Sequence, residues 1–221
     1  MIAGIIGMLA AVVIFILIAL FSAKQPNPTI AVPLGNFLAS QGFARLDASS
    51  APFKVISNIL SSTADDTFIA QIYQNKADNI LICWCSSSDG GNNSILSAIP
   101  GRCGTTPWIL LSLPPSGGVG APWIRKSFEA LGRKSKRSSF SKLESNPFGE
   151  SIDFYIHEGG KIPDFPKEFI GALPQFGNIL LRSMGGMILI ERLSTSRGDS
   201  WDDEARIILN LTKRIKLQLG T

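Results

Sequence analysis

The chain has 221 residues, of which 45% are hydrophobic and only 17% charged, and its formal net charge is +4. Residues 1–23 contain no Asp, Glu, Lys, Arg or His, so every charged side chain lies beyond them. This composition excludes a multi-span transporter, a collagen, a disordered tail and a disulfide-dense miniprotein, and leaves a membrane-tethered domain.

From Ile2 to Phe21 every residue is apolar or Gly. At about 1.5 Å per residue this run matches the roughly 30 Å hydrocarbon core, and in lipid a helix is the conformation that satisfies its backbone. A cleaved signal peptide would need a positive n-region and small residues before the cut. No Lys or Arg precedes this run, and cleavage after Ala23 would place Phe21 at −3, so an uncleaved transmembrane helix over 1–23 is predicted. Lys24, on its C-terminal side, places the soluble part in the cytoplasm by the positive-inside rule. Ala3, Gly7 and Ala11 have the small-xxx-small spacing through which two spans can associate.

Pro26, Pro28 and Pro33 predict an extended spacer over 24–33. A soluble domain follows over 34–221, with halves at 34–115 and 121–221. Leu34, Phe37 and Leu38 are helically spaced before Gly42, a C-cap candidate, and Phe53, Ile56, Ile59 and Leu60 mark a second helix over 52–60. Residues 67–73 and 80–86 form a hairpin pattern, and a further strand over 108–113 stops at Pro114 and Pro115. In the second half, 151–157 alternates as a half-buried strand and 166–173 is a short helix opening on Pro166. The runs 179–183 and 187–193 flank Gly185-Gly186 as a second hairpin. The last helix, capped by Ser200, buries Trp201, Ala205, Ile208, Leu211, Ile215 and Leu219. The expected class is α+β, with a predominantly antiparallel sheet, short helices and a C-terminal amphipathic helix. A helix followed by a hairpin in each half suggests a duplicated β-α-β-β unit.

The apolar N-terminal run, the strand with its Pro stop, the second aromatic segment Trp123-Ile124-Arg125, the stretch into Asn146-Pro147-Phe148 and Ile152-Asp153-Phe154, and the final hairpin and helix resemble prokaryotic single-pass membrane-anchored proteins of unknown function. The resemblance implies a tethered α+β domain and supplies no site residues.

Chemistry-bearing motifs are sparse. Cys83 and Cys85 share one strand face, and with Cys103 and the only histidine, His157, they contain the donors of a three-thiolate, one-imidazole zinc site. The spacing lacks the knuckles of such sites, and three cysteines without a framework suit strand or core positions in a reducing compartment. No cofactor or nucleophile motif is present, so neither a cofactor nor a catalytic residue is assigned. Asp65, Asp66, Asp153, Asp202, Asp203 and Glu204 are the nominal carboxylates of a rival reading, an anchored enzyme with a dispersed site. The segment of physical interest is 125–142, where Arg125, Lys126, Arg133, Lys134, Lys136, Arg137 and Lys142 face Glu129 alone. Such a charge run is ordinarily a solvated loop, and as a site it suits anionic lipid or an acidic protein partner. Nucleic acid is disfavoured, because the chain is tethered and carries no recognisable nucleic-acid module. The reading is a non-enzymatic, membrane-tethered interaction or scaffold domain.

Overall fold

The computed structural model of the protein describes residues 28–62, 67–87, 93–101, 107–113, 140–143, 149, 151–157, 165–184, 186–192 and 201–219. The expected span over 1–23 lies outside them. Among the described residues no helix is long and apolar enough to cross a membrane.

Helix α1, Pro28–Ser40, opens the described chain. Residues 28–33, expected as part of an extended spacer, are therefore helical. Pro28 takes the first helical position, where a backbone N–H would have no acceptor, so it costs nothing there. Pro33 removes one bond in the second turn, a loss offset by Leu34 and Leu38, which are fully buried. The helix ends in a Schellman motif. Phe43 N–H donates to Leu38 O at 3.0 Å, Gly42 N–H donates to Ala39 O at 3.0 Å, and Gly42 takes a φ of +79°.

The short strand β1, Ala44–Arg45, and helix α2, Ala51–Ser62, come next. The hairpin of β2, Thr67–Asn75, and β3, Ile80–Ser87, turns through residues 76–79. Asn75 closes that turn, with Asp78 N–H donating to its Oδ1 at 3.0 Å, and its own amide donates to Gln41 O at the end of α1, 3.2 Å away. Strands β4, Asn93–Pro100, β5, Trp108–Ser112, β6, Phe140–Lys142, and β7, Ile152–His157, precede helix α3, Lys167–Ala172, and a 3₁₀ turn, Leu173–Phe176. The second hairpin, β8, Ile179–Met184, and β9, Met187–Arg192, turns at Gly186 with φ +76° and leads to helix α4, Trp201–Gln218.

The nine strands among the described residues form one antiparallel sheet in the order β1-β2-β3-β4-β9-β8-β5-β7-β6. This α+β architecture, with its C-terminal helix, agrees with the expected class. The register carries one row of neighbours, Arg45, Tyr73, Ile82, Ser97, Ile190, Leu181, Leu110 and Phe154, across eight strands. These residues point to the face covered by α1, α3 and α4, where the main core gathers Trp84, Trp108, Phe165, Phe169, Ile208 and Ile215. Phe165 stands edge-on to Trp108 at 5.1 Å between ring centres. The opposite face buries Leu81, Cys83, Cys85, Leu96 and Leu189 against Ile56 of α2, and Ile109, Leu111, Tyr155 and Leu180 in a separate cluster.

The expected duplication does not survive this topology. In the first unit β1 lies beside β2, whereas in the second β5 stands between β7 and β8. Moreover α2 and α3 pack on opposite faces of the sheet. Strand β5 belongs in sequence to the 34–115 half, yet it pairs only with strands of the other half.

Candidate interaction surface

Of the seven cations expected to form a basic patch, Lys142 alone is described; Arg125, Lys126, Arg133, Lys134, Lys136 and Arg137 lie outside the described residues, as does Cys103. Lys142 sits on the edge strand β6, and its Nζ lies 3.0 Å from Oδ1 of Asp153 on β7. The carboxylate is almost fully buried and the ammonium is nearly half exposed. This cation therefore neutralises a carboxylate of its neighbouring strand. The same contact accounts for Asp153, one of the nominal catalytic carboxylates.

Near the middle of the sheet, on the α2 face, a second pair sequence reasoning did not single out joins adjacent strands. Arg182 Nη2 on β8 donates to Glu191 Oε2 on β9 at 2.8 Å, with the guanidinium nearly buried. The next residue along β9, Arg192, points to the other face and reaches Glu204 Oε2 in the first turn of α4 at 2.5 Å. Glu204 also lies where the helix macrodipole favours an acid. Consecutive residues of β9 thus pair on opposite faces, as strand alternation requires. Asp202 and Asp203 share that first turn, while Asp65 and Asp66 fall outside the described residues.

Cys83 and Cys85 lie on the face they were expected to share, both without solvent exposure among aliphatic side chains. Burial pushes both thiols well above the ordinary value of 9.0, and for Cys85 the nearby Cys83 and Glu191 act in the same direction. Protonated, buried thiols are neither good nucleophiles nor ready metal ligands. His157 is five strand positions away on β7, roughly 24 Å at about 4.8 Å per strand, and stacks edge-on against Phe140 at 5.8 Å. That separation excludes it from any ion held by Cys83 and Cys85.

Helix α4 is the most prominent charged element on the other face. It packs against β4, β9 and α1, burying Ala205, Ile208, Leu209, Leu211, Thr212 and Ile215. Thr212 Oγ1 donates to Ile208 O and forms a short hydroxyl contact with Ser97 of β4, which satisfies two buried polar groups at once. Leu209 and Thr212 extend the predicted stripe, whose ends at Trp201 and Leu219 are only partly buried. The outward side presents Arg206, Ile207, Asn210, Lys213, Arg214 and Leu217. Arg206 lies over the Phe37 ring at 5.3 Å and Arg214 over Phe176 at 5.4 Å. Lys216 donates to Asp78 O, and Lys213 approaches the Asp78 carboxylate at 3.8 Å, so the C-terminal end of α4 is tied to the β2–β3 turn. Sequence reasoning followed the apolar stripe of this helix and passed over its cationic side, although the i, i+7 repeat of Arg206 and Lys213 and the i, i+3 step from Arg214 to Leu217 were visible.

Among the described residues no group of three His, Cys, Asp or Glu side chains is placed to hold a metal ion. Among the described residues, the ion pairs join neighbouring strands, a strand to a helix, or helix α4 to the β2–β3 turn.

No family model and no curated protein matches the chain. Among solved structures, the crystal structure of the mycobacterial trehalose monomycolate transport factor A, TtfA, is similar to it, with a TM-score of 0.47 and 12% identity over 85% of this chain and 94% of that one.

Proposed function

We propose that the chain is a single-pass, membrane-tethered α+β domain that acts as a non-enzymatic interaction or scaffold module on the cytoplasmic side of the membrane. One observation carries the reading. Helix α1 starts at Pro28, with four residues between it and Ala23 at the end of the charge-free run, and inserts Leu34 and Leu38 into the main core with no exposure. The element that leaves the predicted span is thus a structural part of the domain, so the domain sits against the bilayer with little slack. The charge of the basic segment over 125–142 suits anionic lipid or an acidic protein, with Lys142 paired to Asp153.

Flotation tests this assignment. The full chain, made in cells and carried through an alkaline carbonate wash, is expected to float with the lipid, and a variant lacking residues 1–23 is expected to stay in the soluble fraction. A full chain released by the wash would refute the tether.

A further inference from the structure

The outward face of α4 has a composition that neither its packing nor the proposed role of the 125–142 segment explains. Ile207 and Leu217 are two of the three large hydrophobic side chains exposed among the described residues, Leu217 at 79%. The third, Val55, is on α2 and hence on the opposite side of the sheet. At 100° per residue, Arg206, Ile207, Asn210, Lys213, Arg214 and Leu217 fall within one arc of about 120°, opposite the buried stripe. Three of the six are cations, and Asp203 is the one acid on the same arc. A cationic helix side interspersed with isolated aliphatics is the pattern of a helix lying on a lipid interface.

The position of α4 relative to the tether identifies the occupant. Residues 24–27 give a reach of at most about 18 Å between the end of the predicted span and the start of α1. Helix α1 packs directly on α4, with Phe37 beneath Arg206. The helix that emerges from the membrane and the helix with the cationic outer side therefore occupy the same layer of the domain. A short tether on that layer turns it, and not the α2 face, toward the headgroups. The aromatic rings under Arg206 and Arg214 hold both guanidinium groups on the outer surface. Lys213 touches Asp78 only at 3.8 Å and is nearly half exposed, which leaves it open to a second anion.

We infer that the outward face of α4 is a docking surface for the anionic headgroups of the bilayer that anchors the chain. Arg206, Lys213 and Arg214 meet lipid phosphates there, and Ile207 and Leu217 enter the interface. The inference rests on the tethered reading above.

The test uses the full chain with Cys103→Ser and a fluorescent label at Asn210→Cys on the α4 arc, or at Val55→Cys as the reference on α2; Cys83 and Cys85 are buried and do not compete for the label. The protein is placed in bilayers of phosphatidylcholine with or without phosphatidylglycerol, each containing a headgroup nitroxide quencher. The label at 210 should be quenched several-fold more in the anionic bilayer, while the label at 55 should be indifferent to lipid charge. Lys213→Gln and Arg214→Gln should each lower the docked-to-free ratio about fivefold. Leu217→Ser, which touches no ion pair, should lower it with the fold intact. Equal quenching at 210 in both bilayers, from a chain that still floats with lipid, would overturn the docking surface and leave the tether standing. A chain that does not float would overturn both. A label quenched in neither bilayer but shifted by added polyglutamate would give the face to an acidic protein and likewise overturn the lipid assignment.

Discussion

Truncating the buried side of α1 should destabilise the whole domain, because that helix is both the exit from the predicted span and a wall of the main core. Leu34 and Leu38 are one helical turn apart, both fully buried, and they pack in the cluster that contains Ile82, Trp84 and Ile208. Removing three carbons from such a site costs the transfer energy of the lost atoms plus that of the cavity left behind, about 3 kcal/mol for each Leu→Ala change. The double variant should therefore lose about 6 kcal/mol, comparable with the whole stability of many domains of this size. With an urea dependence of about 2 kcal/mol per molar, Leu38→Ala alone should lower the unfolding midpoint by about 1.5 M. Asn36→Ala, on the exposed side of the same helix, should change stability by no more than about 0.5 kcal/mol. The assay is equilibrium urea unfolding of the full chain in detergent, followed by tryptophan emission, to which Trp84 contributes from the core and the partly buried Trp201 from its edge, 6.4 Å away. Midpoints that hardly move in Leu38→Ala would show that α1 lies outside the cooperative unit, and the argument that joins tether to domain would fail.

Three further expectations concern the same architecture. A Cβ on Gly35 would lie 3.1 Å from Tyr73 Oη, whose hydroxyl is held by Gln71 Oε1 at 2.5 Å, so Gly35→Ala should not yield the gain of about 1 kcal/mol that helix propensity offers. In a Tyr73→Phe background that gain should return, and the same urea titrations read both values. Glu191→Gln weakens the charge-assisted hydrogen bond from the nearly buried Arg182 guanidinium and should cost about 2 kcal/mol, whereas Arg182→Met with Glu191→Leu, which removes both charges together, should cost less; equal losses in both would refute the pairing. The raised thiols give a signed pH dependence. Cys83 and Cys85 stay protonated in the folded chain and ionise in the unfolded one, so the unfolded state binds fewer protons above the ordinary thiol value. Their contribution is complete below that value and is lost as pH rises past 9, at up to about 2.7 kcal/mol per pH unit for the two together. Unfolding measured between pH 8 and pH 10 should show a shallower decline in Cys83→Ala with Cys85→Ala than in the parent chain.

Local pattern made some of this fold legible and left other parts hidden. The β2–β3 and β8–β9 hairpins announce themselves through β-rich runs around Asn79 and Gly186, each of which takes a positive φ in its turn. The Gly42 cap and the buried side of α4 were equally visible, because capping and a 3.6-residue period are written in adjacent residues. Strand β4 escaped notice because it is buried on both faces: Ile95 and Ile99 serve one core and Leu96 and Ala98 the other, so no period of two remains. Its Ser97 reads as polar and hence exposed, and only Thr212, 115 residues away, makes its burial affordable. Prolines at 28 and 33 suggested an extended spacer, yet a proline at the start of a helix is as compatible as one in a linker, and tertiary burial of Leu34 and Leu38 decides the matter. The insertion of β5 between β7 and β8 is a long-range pairing, and no local signal encodes it. Among the site residues, the segment over 125–142 was conspicuous as a charge run. The Arg182–Glu191 pair was not, since its members are nine residues apart on two strands whose register had to be known first.

The central claim is that this domain stands on the cytoplasmic side of a membrane, held by a span over 1–23 through α1. The most direct test fuses a compartment-sensitive reporter after Thr221 of the full chain and reads it in intact cells. The account predicts activity of a reporter that works only in the cytoplasm and silence of one that works only outside. The reverse pattern would contradict the orientation drawn from Lys24, and with it the placement of the α4 surface against the inner leaflet.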